Sequence, residues 1–282
     1  FAYGSVVFPQ PSHSGEIVDF VFVVKDPYHW HKQNLNKNPS HYWWLLRLAG
    51  PSFLSFLHRW KTPLFYLTDI PLKSSGPTLR SKYGTISQHE IEKDLSSWSS
   101  LYLSGRLHKP VLFLPSPPSP FPPSLSTNLH SATAASLLQL PNQFSFHDFF
   151  EKVAELSYLG DIRVGVAESP DKIRKLVHSG GGTRERGSGD DGGKVTMLHD
   201  MYAPHLENFS VVEKGTELVH RKDREEFERL VESLPSSVLS GMDCGWESNE
   251  GSTENSQNEE KLKEIARAFY NDHKENKMEM IE

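Results

Sequence analysis

The eight residues from Ile17 to Val24 read IVDFVFVV. A run this rich in β-branched and aromatic side chains predicts a strand inside a sheet. Its one carboxylate, Asp19, is the constraint: a buried carboxylate without a partner costs several kcal/mol, so Asp19 requires a partner or a metal ion. The chain opens as FAYGSVVF, where Phe1–Tyr3 ends another strand and Gly4-Ser5 follows it. A Gly-Ser pair after a strand lets backbone N–H groups converge on one point. Such a nest suits phosphate oxygens, and the Ser5 hydroxyl adds a donor. If Asp19 lies on the neighbouring strand, turn and carboxylate face one crevice. Mg2+ held by Asp19 can then bridge triphosphate oxygens while the turn holds the terminal phosphates. The plainer alternative is an ordinary turn beside an edge-strand Asp bonded to a lysine or to backbone.

The rest of residues 1–114 mixes strand and helix patterns, an α+β or α/β unit. Helices are expected at Pro27–Asn36, at Tyr42–Ala49 and Ser52–Trp60 (broken by Gly50-Pro51), and at Glu90–Leu103. Strands are expected at Leu64–Leu67, Lys82–Ser87 and Val111–Leu114. The proline-rich PSPPSPFPPS then sets a boundary, with residues 115–127 as a stiff linker or loop. Residues 128–242 read as a mostly helical second unit, with helices at Asn128–Leu140, Phe146–Tyr158, Val195–Asn208 and Glu225–Leu234. A strand at Asp161–Val166 and a helix at Pro170–His178 complete it. Its glycine-rich insert, residues 179–193, lacks both the preceding strand and the Lys-Ser/Thr ending of a P-loop, so it reads as a disordered loop. Residues 243–282 form an acidic, partly disordered tail with a helix from about Lys261.

Charge is uneven. From Val211 onward there are 18 acidic and 10 basic residues, against 18 and 20 before it, within a total net charge of −6. A mildly basic front suits a phosphate-bearing substrate, and no long basic tract points to nucleic acid. A single cysteine, Cys244, excludes an internal disulfide or a multi-cysteine zinc site. No apolar run approaches the roughly 18 residues that span a bilayer. The chain opens inside a strand-like pattern, so Phe1 is read as a truncation point, which leaves targeting information unread.

Further residues carry chemistry or its plainer counterpart. Arg106 and Lys109 in SGRLHKP, one turn apart if helical, could clamp phosphate or simply face water at a helix end. Asp161 and Arg163 in YLGDIRV share a strand face, to meet substrate or each other. His29 and His31 are two apart and do not share a helix face, which argues against a two-histidine metal site. The aromatic, basic HYWWLLRLAGPSFLSFLHRW suits either a core or the surface of a bilayer.

FAYGSVVF, VDFVFVVKDPYHWHKQNLNKNPSHY, KYGTI, DLSSWSSLYLSGRLHKPV and ELSYLGDIRVGVAE, in this order, resemble the mitochondrial phosphatidate cytidylyltransferases, also called translocator assembly and maintenance proteins. The resemblance runs to about Glu168 and resumes near MLHDMYAPHLENF. It implies a nucleotidyltransferase-type mixed sheet flanked by helices, then a helical, winged-helix-like domain. It implies transfer of CMP from CTP to phosphatidic acid, giving CDP-diacylglycerol and pyrophosphate with Mg2+. The implied setting is peripheral, on the matrix side of the mitochondrial inner membrane, supplying phosphatidylglycerol and cardiolipin synthesis. Gly4 and Ser5 match the family's turn, Asp19 its catalytic metal carboxylate, and Lys82 and Tyr83 its nucleotide-binding KYG strand. Where the family pattern usually carries Asp-x-Asp, this chain has Val21 at the second place. Glu16, Asp26 and Asp94 are candidates for the missing ligand. The family's other name keeps a non-catalytic import or assembly factor as the alternative.

Overall fold

The computed structural model describes residues 1–4, 7, 17–58, 64–72, 79–114, 123–159 and 191–241. Ser5, Glu16, Asp161, Arg163, residues 179–190 of the glycine-rich insert and the tail lie outside them, as do the strand and helix expected at Asp161–Val166 and Pro170–His178; the last three residues of the insert, 191–193, expected as disordered loop, instead open a helix.

The first half is a four-stranded mixed sheet. Its strands are β1 (Ala2–Tyr3), β2 (Ile17–Val24), β3 (Phe65–Leu72) and β4 (Leu79–Ser87), in the order β1-β2-β4-β3. The central pair β2 and β4 is parallel, while β1 and β3 run antiparallel to their neighbours. Successive residues of a strand point to opposite faces, so the register assigns the side chains. On one face Tyr3, Val21 and Ile86 pack with Ile91, Leu95, Leu103 and Leu107. These belong to and flank α3 (Gln88–Ser97) and α4 (Tyr102–Arg106). On the other face Tyr83 and Leu67 pack with Trp30 and Leu35 of α1 (Pro27–Lys37), Leu54 of α2 (Trp44–Leu57) and Tyr42 in the turn between them.

Local chemistry sets these helix ends. Asp26 caps α1 by accepting from the Tyr28 N–H at 2.9 Å, and Pro27 occupies the first turn, where no N–H is needed. The break expected at Gly50-Pro51 is present inside α2, where Gly50 takes φ +75°. The single helix expected over Glu90–Leu103 is instead two. Trp98 and Leu101 adopt left-handed backbone, φ 51° and 54°. The cause is Asp94, 2 % exposed. Its Oδ1 accepts from the N–H of Ser100 (2.8 Å) and Leu101 (3.0 Å), and its Oδ2 from those of Leu103 (3.0 Å) and Ser104 (2.9 Å). One buried carboxylate thus takes up the free N–H groups at the start of α4. Expected strand Val111–Leu114 reduces to a bridge between Leu112 and Ala2.

The second half is built around α5 (Pro123–Gln139), which begins five residues before the expected helix and so takes in the end of the expected linker. It is buried almost all round from Asn128 to Leu137, as a central helix must be. Around it lie α6 (Phe146–Leu159), α7 (Asp191–Asn208), α8 (Arg224–Glu232) and α9 (Ser236–Gly241). A small antiparallel sheet joins β5 (Gln143–Ser145), β6 (Val212–Lys214) and β7 (Glu217–Val219), with Gly215 at φ +70° turning β6 into β7. This half is mostly helical, as expected, with one small three-stranded sheet.

The two halves are tied by a buried polar knot. Asn128 on α5 accepts from the Trp98 indole N–H at 2.7 Å and donates to the Ser104 carbonyl at 3.0 Å. His108 Nε2 meets the same Asn128 oxygen at 3.2 Å, and Tyr202 of α7 donates to the His108 carbonyl at 2.9 Å.

Candidate functional site

Asp19 is the register partner of Tyr3 on one side and of Lys82 on the other. Register partners share a face, so Asp19 and Lys82 both lie on the face that carries Tyr3, Val21 and Ile86. Gly4 follows directly at φ +84°, a conformation that L side chains rarely adopt. A Cβ built on Gly4 would sit 3.3 Å from Asp19 Oδ2, so the turn runs against the carboxylate.

Beyond this edge stands a group of three phenols and two cations. The Tyr3 and Tyr66 hydroxyls are 3.1 Å apart, and Tyr102 donates to Tyr66 at 3.3 Å. Arg106 donates through Nη2 to the Tyr102 hydroxyl at 3.0 Å. Its guanidinium lies 4.5 Å from the Tyr3 ring centre and 4.8 Å from that of Tyr102. Lys82 Nζ stands 4.3 Å over the Tyr66 ring. Both cations thus rest on aromatic faces, which hold charge without neutralising it. Arg106 Nε is buried with no hydrogen-bond partner among the described residues, a donor that a bound oxyanion could satisfy. Burial raises the Tyr3 hydroxyl pKa, Arg106 opposes that rise, and Asp19 adds to it. Burial also raises the Tyr66 pKa. For Arg106, burial works against the cation, but the surrounding phenol oxygens of Tyr66, Tyr3 and Tyr102 outweigh it and the pKa rises.

The architecture therefore brings together Gly4, Asp19, Lys82 and Arg106. It places Tyr83 elsewhere, on the opposite face. There the Tyr83 hydroxyl accepts from Asn34 Nδ2 at 2.8 Å and pairs with His41 Nδ1 at 2.8 Å. Lys109 follows the end of α4 in a turn, half-buried, and is not on the same helix as Arg106. Asp26 and Asp94 are removed as partners for a metal at Asp19. Asp26 caps α1 roughly 20 Å farther along the strand direction and pairs with His29, while Asp94 is consumed by the start of α4. His31 turns away from His29 into the core. Its Nδ1 meets the Tyr42 hydroxyl and its Nε2 meets His58 Nε2, both at 2.9 Å.

Three tyrosines of the site were not singled out in the sequence as binding residues. Tyr66 had one legible signal, Gly84 of the KYG strand. A Cβ on Gly84 would come within 2.9 Å of the Tyr66 ring, so the glycine makes room for that ring. No group of three or more potential metal ligands occurs among the described residues. A single carboxylate beside a phosphate-type turn still fits Mg2+, which commonly binds through one or two carboxylates with substrate phosphates and water completing its shell.

A family model described as phosphatidate cytidylyltransferase, mitochondrial, matches residues 1–281. The chain is 39 % identical over 180 residues to a protein of that name from Caenorhabditis elegans, covering 63 % of this chain and 54 % of the relative. Identity is 39 % over 192 residues to the Drosophila melanogaster protein (63 % and 55 %) and 38 % over 183 residues to the Homo sapiens protein (63 % and 39 %). The chain spans about half the length of the worm and fly relatives. On a match that runs from the first strand to the penultimate residue, the chain belongs to the mitochondrial phosphatidate cytidylyltransferase family.

Proposed function

We propose that the chain is a CTP:phosphatidate cytidylyltransferase. A phosphate oxygen of phosphatidic acid attacks the α-phosphorus of CTP; the bond to the β-phosphate breaks, and pyrophosphate leaves as CDP-diacylglycerol forms. The observation that carries this reading is the meeting of the Gly4 turn, Asp19, Lys82 and Arg106 at one edge of the sheet. No general base is required, because the second ionisation of a phosphate monoester lies at about pH 6 and the attacking oxygen is already anionic at neutral pH. What remains for the protein is positioning and charge stabilisation, the main terms in phosphoryl-type transfer.

The roles divide as follows. Gly4 brings backbone N–H groups close to phosphate, with Ser5 as the adjoining hydroxyl. Lys82 and Arg106 hold phosphate oxygens, Arg106 with its fork fixed between two rings. Asp19 would hold Mg2+, which supplies charge neutralisation across the triphosphate. Asp161 and Arg163 remain candidates for contact with the lipid phosphate. We place the reaction at the matrix face of the mitochondrial inner membrane, feeding phosphatidylglycerol and cardiolipin synthesis. Among the described residues no helix is long and apolar enough to cross a membrane, which is compatible with peripheral attachment. The test is formation of labelled CDP-diacylglycerol from labelled CTP and phosphatidate vesicles. No product above an Asp19→Asn control would sink the assignment.

A further inference from the structure

We propose that the outer face of α2 is the surface by which this chain docks on an anionic bilayer, an inference that rests on phosphatidate being the substrate. A helix on the outside of a protein normally turns apolar residues inward and polar ones to water. Helix α2 does the first and not the second. Leu46 and Leu54 face the core. Outward stand Trp44 (58 % exposed), Leu48 (80 %) and Phe53 (44 %), continued by Trp43 and Phe56. On either side of the Gly50 bend the helix sends one leucine, Leu46 or Leu54, into the same cluster, which leaves the outer apolar residues of both segments exposed. Trp43 and Trp44 pack edge to face at its start, the residue type enriched where a protein meets lipid headgroups.

Charge decides between a lipid surface and another protein. From Pro27 to Thr68 the chain has no Asp or Glu, while Lys32, Lys37, Arg47, Arg59 and Lys61 all fall within it. Lys32, Lys37 and Arg47 are exposed on α1 and α2, which pack together. An acid-free stretch with exposed Lys32, Lys37 and Arg47 on the helix pair that carries the exposed aromatics, in a chain of net charge −6, is complementary to anionic lipid. It lies on the opposite face of the sheet from Asp19, so the variants below leave the residues of the nucleotide site untouched.

The test uses the full chain and vesicles of phosphatidylcholine, alone or mixed with an equal part of phosphatidylglycerol. The wild type is expected to co-sediment with the mixed vesicles and to be released by salt. The double variant Trp44→Ser, Leu48→Ser should bind them about tenfold more weakly or worse. Lys32→Glu with Lys37→Glu should lose the preference for anionic vesicles. Each variant should keep the wild-type rise in melting temperature on adding Mg2+ and CTP without lipid. That arm separates the two readings: if no protein responds to CTP but vesicle binding follows this pattern, the nucleotide assignment fails and the docking surface stands. The docking proposal is overturned if the wild type ignores anionic vesicles, or if the Trp44/Leu48 variant binds them as well as the wild type. It is equally overturned if that variant instead converts a dimer to a monomer, which would make the outer face of α2 a contact between two copies.

Discussion

Asp19 Oδ2 lies 3.3 Å from the point that a Cβ on residue 4 would occupy, and residue 4 is a glycine at φ +84°. The turn and the carboxylate therefore constrain each other. Gly4→Ala meets both a backbone penalty of about 1–2 kcal/mol and a tight contact with the acid. The expected outcome is a lower urea midpoint together with weaker CTP binding by titration calorimetry. Wild-type affinity in a correctly folded Gly4→Ala protein would remove the turn from the nucleotide site.

Asp19→Asn keeps shape and loses charge. Turnover should fall to background, while the melting temperature moves little. The pair of measurements is a product assay and a thermal melt on one preparation.

Arg106→Lys should weaken activity about tenfold or more, because lysine cannot lie flat between Tyr3 and Tyr102 while also reaching the Tyr102 hydroxyl. Lys109→Ala should have a much smaller effect, since Lys109 is not on the helix that carries Arg106. Steady-state kinetics with CTP and phosphatidate varied in turn will report which substrate senses the guanidinium.

Asp94→Ala should be among the most destabilising single changes in the first half. It strands the N–H groups of Ser100, Leu101, Leu103 and Ser104 at a break that no side chain can refill. A loss of about 3 kcal/mol or more is expected in urea unfolding, with Asp94→Asn intermediate.

Acid should unfold the protein through its buried histidines. Burial lowers His31 to about 3, with His58 adding to the effect. Burial also lowers His108 and His205 to about 4. Each folded value lies below the ordinary value of 6.5, so the unfolded chain takes up these protons first. Stability is fully present above about pH 6.5 and falls as the pH drops toward 4, by up to about 1.4 kcal/mol per pH unit for each histidine. Melting temperatures from pH 7.5 down to 4 check the slope, and His108→Asn should make it shallower.

The elements legible in the sequence were those fixed by local chemistry. Strand β2 has a near-continuous apolar run, and α1 has its Asp26 cap and Pro27. The bend in α2 is written in Gly50-Pro51. The break between α3 and α4 was not legible, because Asp94 reaches up to ten residues ahead to cause it. Strands β5, β6 and β7 have three residues each, too few for an alternating pattern to declare itself. At the site, Asp19 stood out as a charge in an apolar run and Gly4 as a turn residue. The separation of Lys82 from Tyr83 follows from strand alternation. The meeting of Tyr3, Tyr66 and Tyr102 depends on three-dimensional packing that no spacing rule reveals.

Asn128 gives the molecule a property that its residue numbers conceal. A fragment stopping at Leu114 would contain Gly4, Asp19, Lys82 and Arg106, yet would lack the amide that clasps Trp98 and the Ser104 carbonyl, two residues before Arg106. The indole N–H and that carbonyl would be left in a cavity once filled by α5, and the short helix bearing the arginine would lose its backing. The second half of the chain thus works as a splint for the first, and the proline-rich stretch between them is no place to cut.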